Sequence, residues 1–281
     1  MMKADATLDK MPELPFGFRK MSVAYFAALL LLAIVTPAKA NLVVNGSFET
    51  TGLTASGQVF FNNAADAACG AGGVGDVCGW TATTITNNTT TSVPLGFLYF
   101  SGHAKDTLGD QFGATDFKLA QAPTYPASSP DGGNFLAIDA APGDTHGNTN
   151  YQGSFGQTIN GLTIGAKYAL SFYQAAGQQN GFTGATTDWW SVTFGTQTLL
   201  STVMSNPSQS FQPWNKQQMI FTASATSQVL TFLSQGTGAG LPPFIFLDGV
   251  SLTTPEPSTL VYAVMGFLGL IAAWRLRNKR A

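Results

Sequence analysis

Charge is scarce in this chain. Only 10% of its 281 residues are Asp, Glu, Lys or Arg, and it holds just two histidines and two cysteines. Between Asn41 and Thr254 there is no arginine. Four lysines there (Lys105, Lys118, Lys167 and Lys216) stand against eleven carboxylates, a balance of −7. Such a surface is ill suited to nucleic acid, where affinity rests on neutralising phosphates. It suits calcium or neutral polymers better. His103 and His146 lie far apart in sequence, without metal-ligand spacing. Ser101-Gly102-His103 and Asp144-Thr145-His146 lack a Gly-x-Ser-x-Gly elbow, so nucleophilic catalysis has no motif to stand on. A non-enzyme is expected; a glycan hydrolase with paired carboxylates is the weaker alternative, since separation in space is unreadable from spacing.

Cys69 and Cys78 close a short Gly-rich loop and read as a disulfide of an exported protein. The rival, a metal pair, has no His or third Cys nearby. The central segment also lacks any convincing amphipathic helix period.

Long apolar runs occur at the two ends. Arg19 and Lys20 precede the run from Met21 to Val35, and Ala38-Lys39-Ala40 supplies small residues at the positions a signal peptidase reads. Residues 1–40 are therefore expected to be a signal peptide with an N-terminal extension, removed after Ala40. At the other end, Pro255-Glu256-Pro257 precedes an uncharged run from Ser258 to Trp274, followed by Arg275, Arg277, Lys279 and Arg280. At ~1.5 Å per residue the run covers about 25 Å, at the short end for a transmembrane helix. The cations are costly to translocate, so the C-terminus is expected to stay cytoplasmic and the rest to lie across the inner membrane.

This tail, residues 255–281, resembles the PEP-CTERM sorting signal of bacterial exported proteins. The resemblance implies a transient membrane anchor recognised by an exosortase, which cuts near Pro255-Glu256-Pro257 and releases the protein to the cell surface or extracellular space. An ordinary single-span anchor is the alternative.

The segment 41–254 alternates with period two. Strands are expected at 41–44, 81–86, 94–100, 133–139, 155–159, 167–173, 188–194, 216–223, 228–234 and 243–252, joined by Gly and Asn turns. Residues 50–79 and 101–132 read as long polar or Gly-rich loops. The expected fold is all-β, a two-sheet antiparallel sandwich. Alternation places Trp190, Val192 and Phe194 on one face and Trp189, Ser191 and Thr193 on the other.

The opening stretch Asn41 to Glu49 (Asn-Leu-Val-Val-Asn-Gly-Ser-Phe-Glu) is similar to the start of galactose-binding-like jelly rolls, among them carbohydrate-binding modules. The blocks 155–172, 214–221 and 246–252 fit the same family. The resemblance implies a jelly roll with a structural calcium where the first and last strands meet, with Glu49 and Asp248 as its side-chain ligands. Gly249 stands where a second carboxylate is common. A sugar site needs exposed aromatic rings flanked by polar groups. Trp189 beside Asp188 is the leading candidate, with Trp80, Tyr151 and Trp214 at loop edges. The expected function is carbohydrate or exopolysaccharide binding at the envelope or in the extracellular matrix. The alternative is a structural or adhesion protein that self-associates without a specific sugar site.

Overall fold

The computed structural model describes residues 40–59, 69, 76–82, 86–87, 90–91, 95–109, 117–120, 125–142 and 151–254, together with Gly266 and Gly269. The signal peptide, the sorting tail with its span 258–274, and His146 lie outside the described residues, apart from Ala40, Gly266 and Gly269. Among the described residues no helix is long and apolar enough to cross a membrane.

Alternating side chains build two antiparallel sheets. The strands are β1 (Gly57–Gln58), β2 (Thr81–Ala82), β3 (Thr86–Asn87), β4 (Thr90–Thr91), β5 (Gly96–Tyr99), β6 (Phe135–Asp139) and β7 (Ser154–Asn160). They continue with β8 (Lys167–Gln178), β9 (Thr186–Phe194), β10 (Gln197–Leu200), β11 (Met204–Asn206), β12 (Gln212–Thr222), β13 (Ser227–Gly238) and β14 (Pro243–Thr253). The first sheet runs β1-β5-β6-β14-β8-β12. The second runs β10-β9-β13-β7-β2, with β11 also on β9; β3 and β4 pair by themselves. The last strand thus lies in the middle of the first sheet.

The sheets face each other across one apolar core. Leu98, Leu136, Leu170, Phe172, Ile245 and Leu247 come from the first sheet; Phe155, Trp190, Val192, Phe194, Leu230 and Phe232 come from the second. Rings meet across the gap, Phe172 on Phe232 at 5.2 Å and Phe194 on Phe221 at 5.8 Å. Each such pair adds about 0.5–1.5 kcal/mol to the area term. On β9 the alternation is regular: Trp190, Val192 and Phe194 are buried, while Trp189, Ser191 and Thr193 are half-exposed. Tyr168, Leu170 and Phe172 likewise point inward on β8.

A second apolar cluster covers the outer side of the first sheet. Phe97, Phe135, Phe244 and Phe246 meet Ala104, Leu108, Phe117, Leu119 and Tyr125. Phe97 and Phe117 stack at 3.9 Å, nearly parallel. The described residues of this stretch (101–109, 117–120 and 125–130) are therefore a packed cover, not the polar loop expected over 101–132. Their apolar residues are too widely spaced to show a period, and an isolated bridge, Leu108 to Phe117, replaces a ladder. β14 is in consequence buried on both faces over Pro243–Asp248, which explains its nearly continuous apolar sequence.

The opening residues 41–44 form no strand. They run beside β14, with Leu42 N–H donating to Leu252 O (2.9 Å) and Leu252 N–H to Asn41 Oδ1 (2.9 Å). Gly46 is obligatory there, since a Cβ would lie 1.9 Å from Val250 O. Asn45 adopts a left-handed φ of 51° and its side-chain amide donates to Thr50 O and Cys78 O, both at 2.8 Å. Cys69 and Cys78 form a disulfide.

Candidate functional site

Two places gather residues singled out from the sequence. One is the junction of the opening segment with β14. Glu49 is exposed, and its Oε1 accepts the Asn134 N–H at 2.6 Å. Asp248 is fully buried; its carboxylate accepts the Ser129 hydroxyl and, at 2.7 Å, the Gly249 N–H. A third carboxylate, unforeseen in the sequence, joins them. Asp131 accepts the Ser47 hydroxyl at 2.6 Å and packs against Gly249, where an added Cβ would lie 3.0 Å from its Cβ and Cγ. Gly249 is left-handed (φ 59°) and sits within a bulge of β14, between Asp248 and Ser251. The bulge makes room for Asp131, so a carboxylate from a distant loop stands beside the place where the resembling family has one in the motif.

The electrostatics follow first from burial and only then from this crowding. Burial pushes the Asp248 carboxyl from 3.8 up to about 8. The hydrogen bonds from Ser129 and Gly249 pull against it, while the charges of Asp131 and Glu49 push it further up. Three carboxylates are hard oxygen donors of the kind calcium takes. The arrangement seen is held by hydrogen bonds, and among the described residues no three His, Cys, Asp or Glu side chains are grouped as a ready-made metal site.

The other place is the outer face of the second sheet. Trp189 lies half-exposed at its centre, with Gln235 of β13 directly opposite on one side. Continuing the β11 register, Met204 to Asp188, puts Val203 opposite on the other side. The next rows bring Leu233, Ser191 and Leu200 together, and Thr237 with Thr187, whose hydroxyls touch. The result is an indole flanked by Gln235 and Leu233 of β13, by Thr187 and Ser191 of its own strand, and by Leu200 and Val203 across the other edge.

The remaining candidates divide. Asp188 does not accompany Trp189; it is wholly buried on the opposite face with Trp190, where burial raises its carboxyl well above 3.8. The alternation that turns Trp189 outward turns its neighbour inward. Trp80, expected at a loop edge, is 1% exposed, packed on Phe48 and Phe155 at 5.6 and 5.2 Å, with its Nε1–H donating to Asn45 O at 3.0 Å. Neither can touch a ligand at the surface. Tyr151 and Trp214 are half-buried against the second apolar cluster, Trp214 edge-on to Phe135 at 5.5 Å. His103 is tied to Asp106 at 2.8 Å on the surface.

No protein-family model matches the chain, and no curated protein matches it. Among solved structures, it is similar to a xylan-binding domain of carbohydrate-binding module family 22 from Paenibacillus barcinonensis, at 11% identity and a TM-score of 0.35, covering 80% of this chain and 100% of that one. It is also similar to the K1 cleaved adhesin domain of Lys-gingipain from Porphyromonas gingivalis, at 10% identity and a TM-score of 0.35, covering 72% and 99%. A third likeness is to the enzymatically active domain of tailspike protein 4 of bacteriophage CBA120, at 12% identity and a TM-score of 0.34. It covers 76% of this chain but 21% of the tailspike. At these identities and scores none of the likenesses bears on ligand or activity.

Proposed function

We propose that this chain is an exported, non-enzymatic carbohydrate-binding protein of the cell envelope or extracellular matrix, sorted by its C-terminal tail. The observation that carries the binding reading is Trp189. Trp80 and Trp190 are buried in the core and Trp214 leans on the second cluster, whereas Trp189 stands half-exposed on an open sheet face. A flat ring stacks on the apolar face of a pyranose, and Gln235, Ser191 and Thr187 lie beside it to meet the sugar hydroxyls. The scarcity of charge favours neutral polysaccharide over polyanions.

The junction of Glu49, Asp131 and Asp248 is the place assigned in this reading to a structural calcium, with loop carbonyls completing the six to eight oxygens the ion takes. Binding requires Asp248 to release its proton, so affinity rises with pH.

The test of sugar binding is retention on insoluble and soluble polysaccharides, including the host's own, for wild type and Trp189→Ala. Loss of retention with an unchanged melting curve is the expected result. Wild-type protein that binds no polysaccharide, or a Trp189→Ala variant that binds as well as wild type, overturns the assignment.

A further inference from the structure

β10 forms one edge of the second sheet. We propose that β10 is the contact through which a second copy of this chain joins, the two β10 strands pairing antiparallel about a two-fold axis at Leu199. This does not depend on sugar binding.

The argument begins with the hairpin from β9 to β10. Phe194 pairs with Gln197 and Val192 with Leu199, and Ser201 N–H donates to Trp190 O at 2.9 Å. In an antiparallel ladder the bonded pairs alternate. Gln197, Leu199 and Ser201 therefore spend their backbone groups on β9, and Thr198 and Leu200 point theirs away from the sheet. All four residues of β10 are exposed. Edge strands are normally blunted by charge, proline or a bulge. β10 is short, and a one-residue register shift between Leu200↔Ser191 and Met204↔Asp188 ends it, but its four residues carry neither charge nor proline, and the chain is free of charged residues from Trp189 to Asn215.

The neighbouring backbone sets the register. Thr202 cannot take part, because its N–H donates to Gln217 Oε1 (2.9 Å) and its C=O accepts the Gln174 amide (2.8 Å). Thr198 and Leu200 are left as the pair with outward groups. Two copies satisfy one another when Thr198 of each faces Leu200 of the other, which brings the two Leu199 residues together as a close non-bonded pair.

The surroundings name the occupant. Leu200 (64% exposed), Val203 (53%) and Leu199 (39%) line this edge. A second copy sets Leu199 directly against Leu199 and lays the two Leu200 side chains on the diagonal beside the facing Thr198 residues. It also brings an equally uncharged run, so two acidic domains approach where neither carries charge. A lone peptide strand would satisfy the backbone but leave the aliphatic side chains half covered.

The experiment uses the full chain in detergent micelles. Both native cysteines are in the Cys69–Cys78 disulfide, so an added cysteine is the single free thiol. Leu199→Cys is expected to give a disulfide-linked dimer on non-reducing gels, while Ile220→Cys, exposed on the other sheet, stays a monomer. Leu200→Lys and Thr198→Pro are expected to weaken association of the otherwise wild-type chain at least about tenfold by light scattering. Both should leave the melting midpoint near its wild-type value, since the altered groups face solvent. A Leu199→Cys chain that remains monomeric overturns the proposal. So does association that persists in both edge variants, because it then arises elsewhere in the chain.

Discussion

Asp248→Asn separates the shape of the strand junction from its charge. The asparagine carbonyl still accepts the Gly249 N–H, and its amide donates to Ser129 Oγ where the hydroxyl had donated to the carboxylate. What disappears is a buried acid held at about 8 rather than 3.8. The folded state binds that proton more tightly than the unfolded chain does. Its contribution to stability is therefore complete below pH 4 and lost as the pH rises through 8. A tenfold change in proton affinity is worth ~1.4 kcal/mol, which sets a ceiling of roughly 5–6 kcal/mol. Water reaching the ionised carboxylate, with local relaxation, reduces this to about 2–3 kcal/mol. Urea unfolding at intervals from pH 4.5 to 8, in chelator, reads the effect. The wild type should lose about 2–3 kcal/mol more than Asp248→Asn over that range. Asp139 and Asp188 are also buried with raised carboxyls, but they are common to both proteins and cancel in the comparison. Parallel curves, or a wild type that gains stability toward pH 8 relative to the variant, refute the reasoning. Millimolar calcium should then raise the wild-type curve above pH 6 and leave the variant where it was. If calcium changes neither curve, the calcium assignment falls and the pH argument stands.

Three other substitutions probe separate parts of the structure. Trp189→Ala should cost under about 1 kcal/mol of stability in urea unfolding while abolishing polysaccharide retention, because a half-exposed ring contributes little to the core. Gly46→Ala should destabilise by about 1–3 kcal/mol or prevent docking of the opening segment on β14, since the new methyl collides with Val250 O. Hydrogen exchange at Leu42 and Leu252 would report the loss. Replacing Cys69 and Cys78 together by serine should lower stability by about 2–3 kcal/mol, as expected for a short closed loop, and make residues near Cys78 accessible to protease.

The alternation of β8, β9 and β12 was legible in the sequence because a half-buried strand writes its burial directly into a period of two. That rule turned Trp190 into the core and Trp189 toward solvent, and applied one residue further it also buries Asp188. The Cys69–Cys78 pair was legible for a different reason, since two cysteines alone in a chain have one partner each. Short strands left no such record. β10 and β11 are too brief for a period to establish itself, and Ala104, Leu108, Phe117, Leu119 and Tyr125 pack as widely spaced apolar side chains in a stretch that resembles a loop when read in order. Trp80 is buried by Phe48, Phe155 and Phe232, which come from three distant stretches.

The chain's sequence by itself determined that the middle is a charge-poor, acidic β-sandwich and which side chains of its long strands face inward, because these depend on local composition and on the backbone period. The tertiary structure alone decided where loops and edges fall. Only the packed fold buries Asp248 and so raises its proton affinity, and only the close approach at Gly249 sets Asp131 beside it, the charges of Asp131 and Glu49 adding smaller pushes. Only the hairpin register leaves Thr198 and Leu200 with outward backbone groups. The first comes from segments remote in the chain; the second comes from a tight hairpin that pairs Phe194 with Gln197, over strands too short to leave a period in the sequence.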